Sequence, residues 1–430
     1  MDQTEALIIE TIDRHREEIL EFARDIYSHA ELGYKEFQTS GKFVKKMEQL
    51  GLRTEKGFAI TGVKAYLNED KKENASLALL GELDALRIPE HAFANPETNA
   101  AHCCGHHAQM AGVFGAALAL TVPEIAEKLD GQVVFFATPA EEYGEIEFKN
   151  QLREQGKIRY GGGKCELLRI GAFDDIDLCL THHIRPGNEI LVGSGTGNGF
   201  VSKVIRVLGK ASHAAGAPEK GVNALSAASL GLQALGLNRE TFRDEDCVRV
   251  HPIITKGGNL VNVIPDEVVV ETLVRGKTIE AFTDAAKKTD RSFKAGAIAM
   301  GAKVEISTLP GYLPTLAEEA LPELKHAAEI SASGIPVIEA SGHAGGSTDV
   351  GDVQHLMPVY TFNTGGVKGG LHQIDFEVTD EEEAYIVTAK MFALAAYGLL
   401  KEKAQRSREL VDQYEPVFKN SAEYVEFMEQ

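Results

Sequence analysis

The sequence predicts an α/β protein: a layered α/β/α domain on a mixed sheet, interrupted by a smaller ferredoxin-like βαββαβ unit. Three observations lead there. The chain has 430 residues, too many for one ordinary hydrophobic core, so two domains are expected. In its outer parts, short apolar runs typical of buried strands alternate with helical periodicity. In the middle the rhythm changes to strand, Ala-rich helix, two strands, helix and strand.

Taken in order, residues 4–27 and 36–50 carry helical apolar spacing, broken around Gly33. Residues 76–83, 131–137, 176–181 and 358–362 read as buried strands, and 110–120 as a helix among them. The middle reads as a strand at 200–208, a helix at 221–237, strands at 248–255 and 267–274, a helix at 278–300 and a strand at 303–308. The insertion is therefore drawn at 198–308, leaving 1–197 and 309–430 as one discontinuous domain. Segments 193–199 and 310–314 carry the Gly and Pro expected at such boundaries. The tail from Lys401 is charged and helical in pattern.

Composition narrows the function. Hydrophobic residues make up 43 % and charged residues 25 %, an ordinary soluble composition. A net charge of -20 repels phosphate backbones and anionic lipid, so neither nucleic acid nor a membrane is an expected partner. The first residues lack the basic start and apolar core of a signal peptide. No run is expected to reach the roughly 20 apolar residues that span a bilayer. Five cysteines, two of them adjacent, do not suggest a disulfide framework, and the cytoplasm is the expected compartment.

Side chains able to bind metal gather at four places, each after a strand. His102-Cys103-Cys104-Gly105-His106-His107 is the densest; a Cys-x-His step at a helix start can turn thiolate and imidazole into one cleft. Phe135-Phe136-Ala137-Thr138-Pro139-Ala140-Glu141-Glu142 runs a strand into two carboxylates. Were the extended backbone to continue, one would face a metal and the other a water or substrate. Residues 178–183 end in His182-His183, and Gly369-Gly370-Leu371-His372 follows the 358–362 strand. Glu82 and Asp84 add acids at another strand end. Each alone suits a solvated loop, but carboxyl ends of α/β strands are where ligand sites form. The insertion adds His213, Asn262 and Arg275, donors suited to a carboxylate or an oxyanion.

The ordered set Glu-Leu-Asp-Ala-Leu, Cys-Gly-His, Pro-Ala-Glu-Glu, His-x-x-Pro, Ser-His-Ala-Ala, Asn-Val-Ile-Pro and Leu-His resembles the co-catalytic metallopeptidases and amidohydrolases. That family includes aminoacylases, aminobenzoyl-glutamate hydrolases and auxin-conjugate hydrolases. The resemblance runs over nearly the whole chain. It implies two divalent metal ions, zinc or manganese, held by Cys104, His106, Glu142, His183 and His372. It implies Glu141 as general base and acid and Asp84 as an orienting acid behind the ligands. It makes the insertion a lid and homodimerisation domain that carries His213 into the partner's site. Asn262 and Arg275 are expected to hold a substrate carboxylate, acting in cis. The implied reaction is hydrolysis of an amide bond in N-acyl amino acids or related carboxylate-bearing amides. A dipeptidase or aminopeptidase on the same scaffold, or a relative that binds without turnover, are the alternatives. The chain departs from the family pattern at Ala30, Glu82, Arg87, Cys103, His107 and Gln109, and His107 is an imidazole able to ligate in its own right.

Overall fold

The computed structural model describes residues 1–429, and the chain divides into two compact units. The first takes in Met1–Gly195, Leu316–Gly342 and the chain from Asp352 onward. The second takes in Thr196–Thr315 and His343–Gly351.

The first unit is built on an eight-stranded mixed sheet. Its order is Arg53–Phe58, Gly62–Leu67, Gln132–Thr138, Ser76–Glu82, Leu178–Ile184, Val359–Thr364, Ile190–Val192 and Val337–Glu339. Strands 132–138, 76–82, 178–184 and 359–364 lie parallel to one another. Because Glu82 pairs with Thr138 and Ile184 with Thr364, these strands end together and their following loops share one edge. Alternate side chains separate the two faces. Val133, Phe135 and Ala137 join the main core with the wholly buried helix His106–Leu120. Phe136 points the other way and meets Phe173, ring centroids 5.1 Å apart. Parallel strands covered on both faces need apolar side chains throughout, which is why they stand out in the sequence.

The helical stretch Glu382–Gln413 has the length and hydropathy of a membrane span, but 89 % of its most apolar window is buried in this core. The expected 4–27 helix is interrupted at His15, giving Gln3–Arg14 and Arg16–Ser28. The hairpin 53–67 and the short strands Ile190–Val192 and Val337–Glu339 were not expected from the sequence, being too short or too polar to stand out.

The second unit is an antiparallel sheet. Arg249–Val250 and Ile253–Lys256 flank Glu267–Gly276, followed by Gly199–Leu208 and Lys303–Pro310. With helices Ala224–Asn238 and Ile279–Ala299 this is the βαββαβ order. The helices pack on Ile205, Val207, Val268, Val270 and Val274. The expected 248–255 strand is split at His251-Pro252, since proline has no N–H for the ladder. Segment 343–351 joins this unit through His343 pairing with Thr196.

One buried carboxyl in the first unit makes stability pH-dependent. Burial pushes Glu318 up to about 8, although the Thr361 amide donates to it. The folded state then holds more protons than the unfolded chain between the ordinary glutamate range and about pH 8. This group therefore lowers stability as pH rises through that window. In thermal melts, Glu318→Gln should lose less Tm than the parent between pH 5 and pH 9, by about 2–4 °C. Equal losses would show that Glu318 titrates normally.

Candidate metal centre

The four loops that leave the common strand edge bring their polar side chains together. Cys104 Sγ lies 3.2 Å from His183 Nε2 and 3.2 Å from His372 Nε2. His372 Nε2 lies 3.1 Å from Glu142 Oε1. His106 Nε2 lies 3.1 Å from Glu82 Oε2 and 3.9 Å from Glu141 Oε2. The donor atoms fall into overlapping groups: Cys104 with His106 and His183, Cys104 with Glu142 and His372, and Glu82 with His106 and Glu141. Thus Cys104, His106, Glu141, Glu142, His183 and His372 all converge. Asp84 is fully buried behind them. Its Oδ2 accepts the Glu142 amide at 2.9 Å, and its backbone carbonyl lies 2.9 Å from His106 Nδ1.

Local backbone explains the aim of these groups. Strand 132–138 ends before the two glutamates, so simple strand alternation, as expected from the sequence, does not separate them. Instead Ala140 is left-handed, φ 50°. Its N–H donates to Glu36 Oε1 at 2.8 Å, and its carbonyl accepts from Gly163 N at 2.9 Å. His372 is also left-handed, φ 62°, held by its N–H on the Cys103 carbonyl at 3.0 Å. Non-glycine residues in this region cost roughly 1–3 kcal/mol and persist where their surroundings over-determine them. Gly105, φ 85°, starts the 106–120 helix and separates Cys104 from His106. A Cβ there would stand 2.0 Å from Ile184 Cγ2.

The electrostatics call for a cation. Burial, then Glu142, pushes the Cys104 thiol well above its ordinary range. Burial would depress His106, but Glu82, Cys104 and Asp84 outweigh it and hold the ring well above the usual histidine range. His106 Nε2, Asp84 Oδ1 and Glu142 Oε1 are buried without a well-formed hydrogen bond, each facing another group of the cluster at 3.1–3.3 Å. Orphaned donor atoms of this kind, on thiol, imidazole and carboxylate, suit a zinc-type divalent metal. A bound cation would reverse the local preference and favour thiolate and neutral imidazole. The residues therefore fit the metal that the motifs imply.

Not every flagged residue joins. His107, considered from sequence as a ligand, instead places Nε2 3.1 Å from the Tyr385 hydroxyl and packs against Tyr27 and His102. His182 points to Thr364 Oγ1 at 2.8 Å. Strand and helix periodicity turn these neighbours of the ligands away. Two contributors, Lys164 and Lys149, escaped the sequence reading, and a third, Gln109, was marked there only as a departure from the family pattern. Lys164 bonds Glu82 at 2.5 Å, Gln109 bonds it at 2.8 Å, and Lys149 bonds the Glu142 carbonyl at 2.6 Å. A lysine in a helix gives no local sign that it will be buried against an acid 82 residues away.

In the second unit, the exposed His213 and Asn262 share one turn: Ala214 N donates to the Asn262 carbonyl at 2.9 Å, and His213 bridges Val263. Arg275 lies at the far end of strand Glu267–Gly276, with its guanidinium 5.8 Å from the Phe200 ring centroid. From residue 267 to residue 275 an extended strand spans about 27 Å.

Gly105 gives a direct test of how the ligands are placed. Gly105→Ala should cost roughly 2 kcal/mol or more and weaken metal uptake, because both φ and the Ile184 contact oppose it. Gly301→Ala, φ 68° with nothing within 4 Å, should cost only about 1 kcal/mol and leave metal uptake alone. Melting curves and metal analysis compare them; equal metal uptake in both would show that the Gly105 turn does not place the ligands.

Comparisons with known proteins follow the same lines. The chain is 27 % identical over 408 residues to Xaa-Arg dipeptidase of Mus musculus, covering 92 % of this chain and 85 % of that protein. It is 24 % identical over 403 residues to N-acetyl-L-cysteine deacetylase of Bacillus subtilis, covering 91 % and 90 %. In fold it is similar to a dinuclear metal binding peptidase from Bacillus subtilis, at TM-score 0.64 and 24 % identity over 90 % of this chain and 99 % of that one. It is also similar to an aminobenzoyl-glutamate utilization protein of Klebsiella pneumoniae, at TM-score 0.66 and 19 % identity over 91 % and 98 %. Residues 78–397 match the sequence pattern of peptidase family M20/M25/M40, and the chain belongs to that family.

Proposed function

We propose that this chain is a metal-dependent amidohydrolase of N-acyl amino acids or related carboxylate-bearing amides. The observation that carries the reading is a buried thiol, imidazole and carboxylate cluster with a second carboxylate, Glu141, beside it. Cys104, His106, Glu142, His183 and His372 would hold two divalent ions, zinc or manganese. Such ions, when bound, polarise a carbonyl and lower the pKa of a coordinated water. Glu141 takes the proton from the attacking water and returns it to the leaving amine, so that the amide C–N bond breaks with water added across it, giving carboxylic acid and amine. Asp84 fixes His106 and the Glu142 backbone. Relatives that act on acetylcysteine, auxin conjugates and aminobenzoyl-glutamate support this substrate class. Similarity to Xaa-Arg dipeptidase over most of the chain keeps a dipeptidase as the second reading. An intact Glu141 argues against a relative that only binds. All five cysteines are free, which supports a cytoplasmic setting.

The second unit is read as lid and homodimerisation domain. Its edge strand Ile253–Lys256 exposes Ile253 at 62 % and Ile254 at 41 %, with exposed Leu260 and Val261 nearby. An apolar edge of this kind suits pairing about a two-fold axis. His213 of the second copy donates to the developing oxyanion, and Asn262 and Arg275 hold the substrate carboxylate.

Three measurements test these roles. Chelation should abolish hydrolysis, and zinc, manganese or cobalt should restore it; full activity in metal-free protein would refute the reading. Glu142→Gln should lose metal, whereas Glu141→Gln should keep it and lose roughly 10²–10⁴-fold in kcat. An active Glu141→Gln would reassign the base. Parallel assays with N-acyl amino acids and dipeptides separate the two substrate readings.

The composite site is tested by mixing inactive variants. His213→Ala and Glu141→Gln should each be nearly inactive. In a mixed dimer, one site carries both defects and the other carries neither. An equal mixture that has exchanged subunits should regain up to roughly a quarter of the parent activity. No recovery after proven exchange would place His213 outside the partner's site.

A further inference from the structure

We propose that Glu82 is an additional ligand, on the same cation as His106, and that Lys164 and Gln109 hold it in place; this rests on the metal-centre reading above. His106 Nδ1 lies 2.9 Å from the Asp84 carbonyl, a contact that needs the proton on Nδ1. With a metal bound the ring is neutral, and its Nε2 lone pair then faces Glu82 Oε2, 3.1 Å away. Two electron-rich atoms at that distance, with both side chains almost completely buried, repel unless a cation lies against both. Metal–ligand bonds of about 2.0–2.2 Å to nitrogen or oxygen, at angles of about 90–110°, place neighbouring ligand atoms about 2.8–3.6 Å apart. The Glu82–His106 spacing falls in this range, as does the His372–Glu142 spacing at 3.1 Å.

The remaining bonds of Glu82 set it up as a one-oxygen ligand. Lys164 Nζ occupies Oε1 at 2.5 Å. Gln109 Nε2 donates to Oε2 at 2.8 Å, while Gln109 Oε1 accepts the Glu82 amide at 2.9 Å. The carboxylate is thus clamped, its distal oxygen taken and Oε2 turned toward His106. Glu141 offers an oxygen to the same group of donors, so a cation shared by His106 and Glu82 would stand beside the proposed base. Lys164 reaches this depth because Gly163 has no side chain: a Cβ there would stand 1.6 Å from the Pro139 carbonyl oxygen.

The test reads metal content and cobalt(II) absorption on the full chain, independently of activity. The variants are Glu82→Gln, Lys164→Met, the double variant and Glu82→Asp, with melting curves as fold control. The parent and Lys164→Met should hold two ions. Glu82→Gln and the double variant should bind one of them at least roughly ten-fold more weakly, with an altered cobalt spectrum. In the double variant both charges are gone, so an ion pair serving only the fold predicts normal metal binding there. That result, in a folded double variant, overturns the proposal. If neither Gln variant folds, Glu82→Asp decides: it keeps the charge and withdraws the oxygen by one methylene, and unchanged affinity and spectrum overturn the proposal equally. A parent that binds no metal would instead refute the metal-centre reading itself.

Discussion

The architecture of the first unit turns on one electrostatic constraint. Glu82, Asp84, Glu141, Cys104 and His106 are all buried in one place. Acids packed this closely, beside a thiol and an imidazole, are stable only with positive charge among them. Lys164 supplies part of it from the protein, and the orphaned donor atoms mark where the rest belongs. Glu36 shows the same pressure one layer out, where burial and the nearby Asp84 push its carboxyl up to about 7. It accepts from Thr61 and from the strained Ala140, so the acid network and the backbone turn that aims the glutamates are one structure.

That coupling explains why unfavourable backbone is retained. Ala140 and His372 are left-handed without being glycine, and both lie at the ligand-bearing loops. Each is pinned by hydrogen bonds to another segment. The strain is the cost of bringing donors from four strand ends to contact distance while each strand stays in its ladder. Gly105 and Gly163 do the complementary work, removing side chains where Ile184 and Pro139 leave no room.

The second unit contributes differently. Its ten-residue central strand is also a spacer, keeping the His213–Asn262 turn and Arg275 at opposite ends.

Local sequence determined most of the regular elements, and its motifs marked the candidate ligands. Parallel strands buried on both faces must be apolar along their length, so 76–82 and 132–138 are legible without a structure. Cys104, His106, Glu142, His183 and His372 hold motif positions that the family resemblance implies as ligands, and metal chemistry suits their side chains. Tertiary structure alone decided the rest. It turned His107 to Tyr385 and His182 to Thr364 while their neighbours entered the centre. It replaced an assumed strand alternation at Glu141 and Glu142 with a left-handed turn at Ala140. It brought Lys164 and Gln109 onto Glu82. These outcomes depend on register and on contacts between distant segments, and local periodicity carries no term for either.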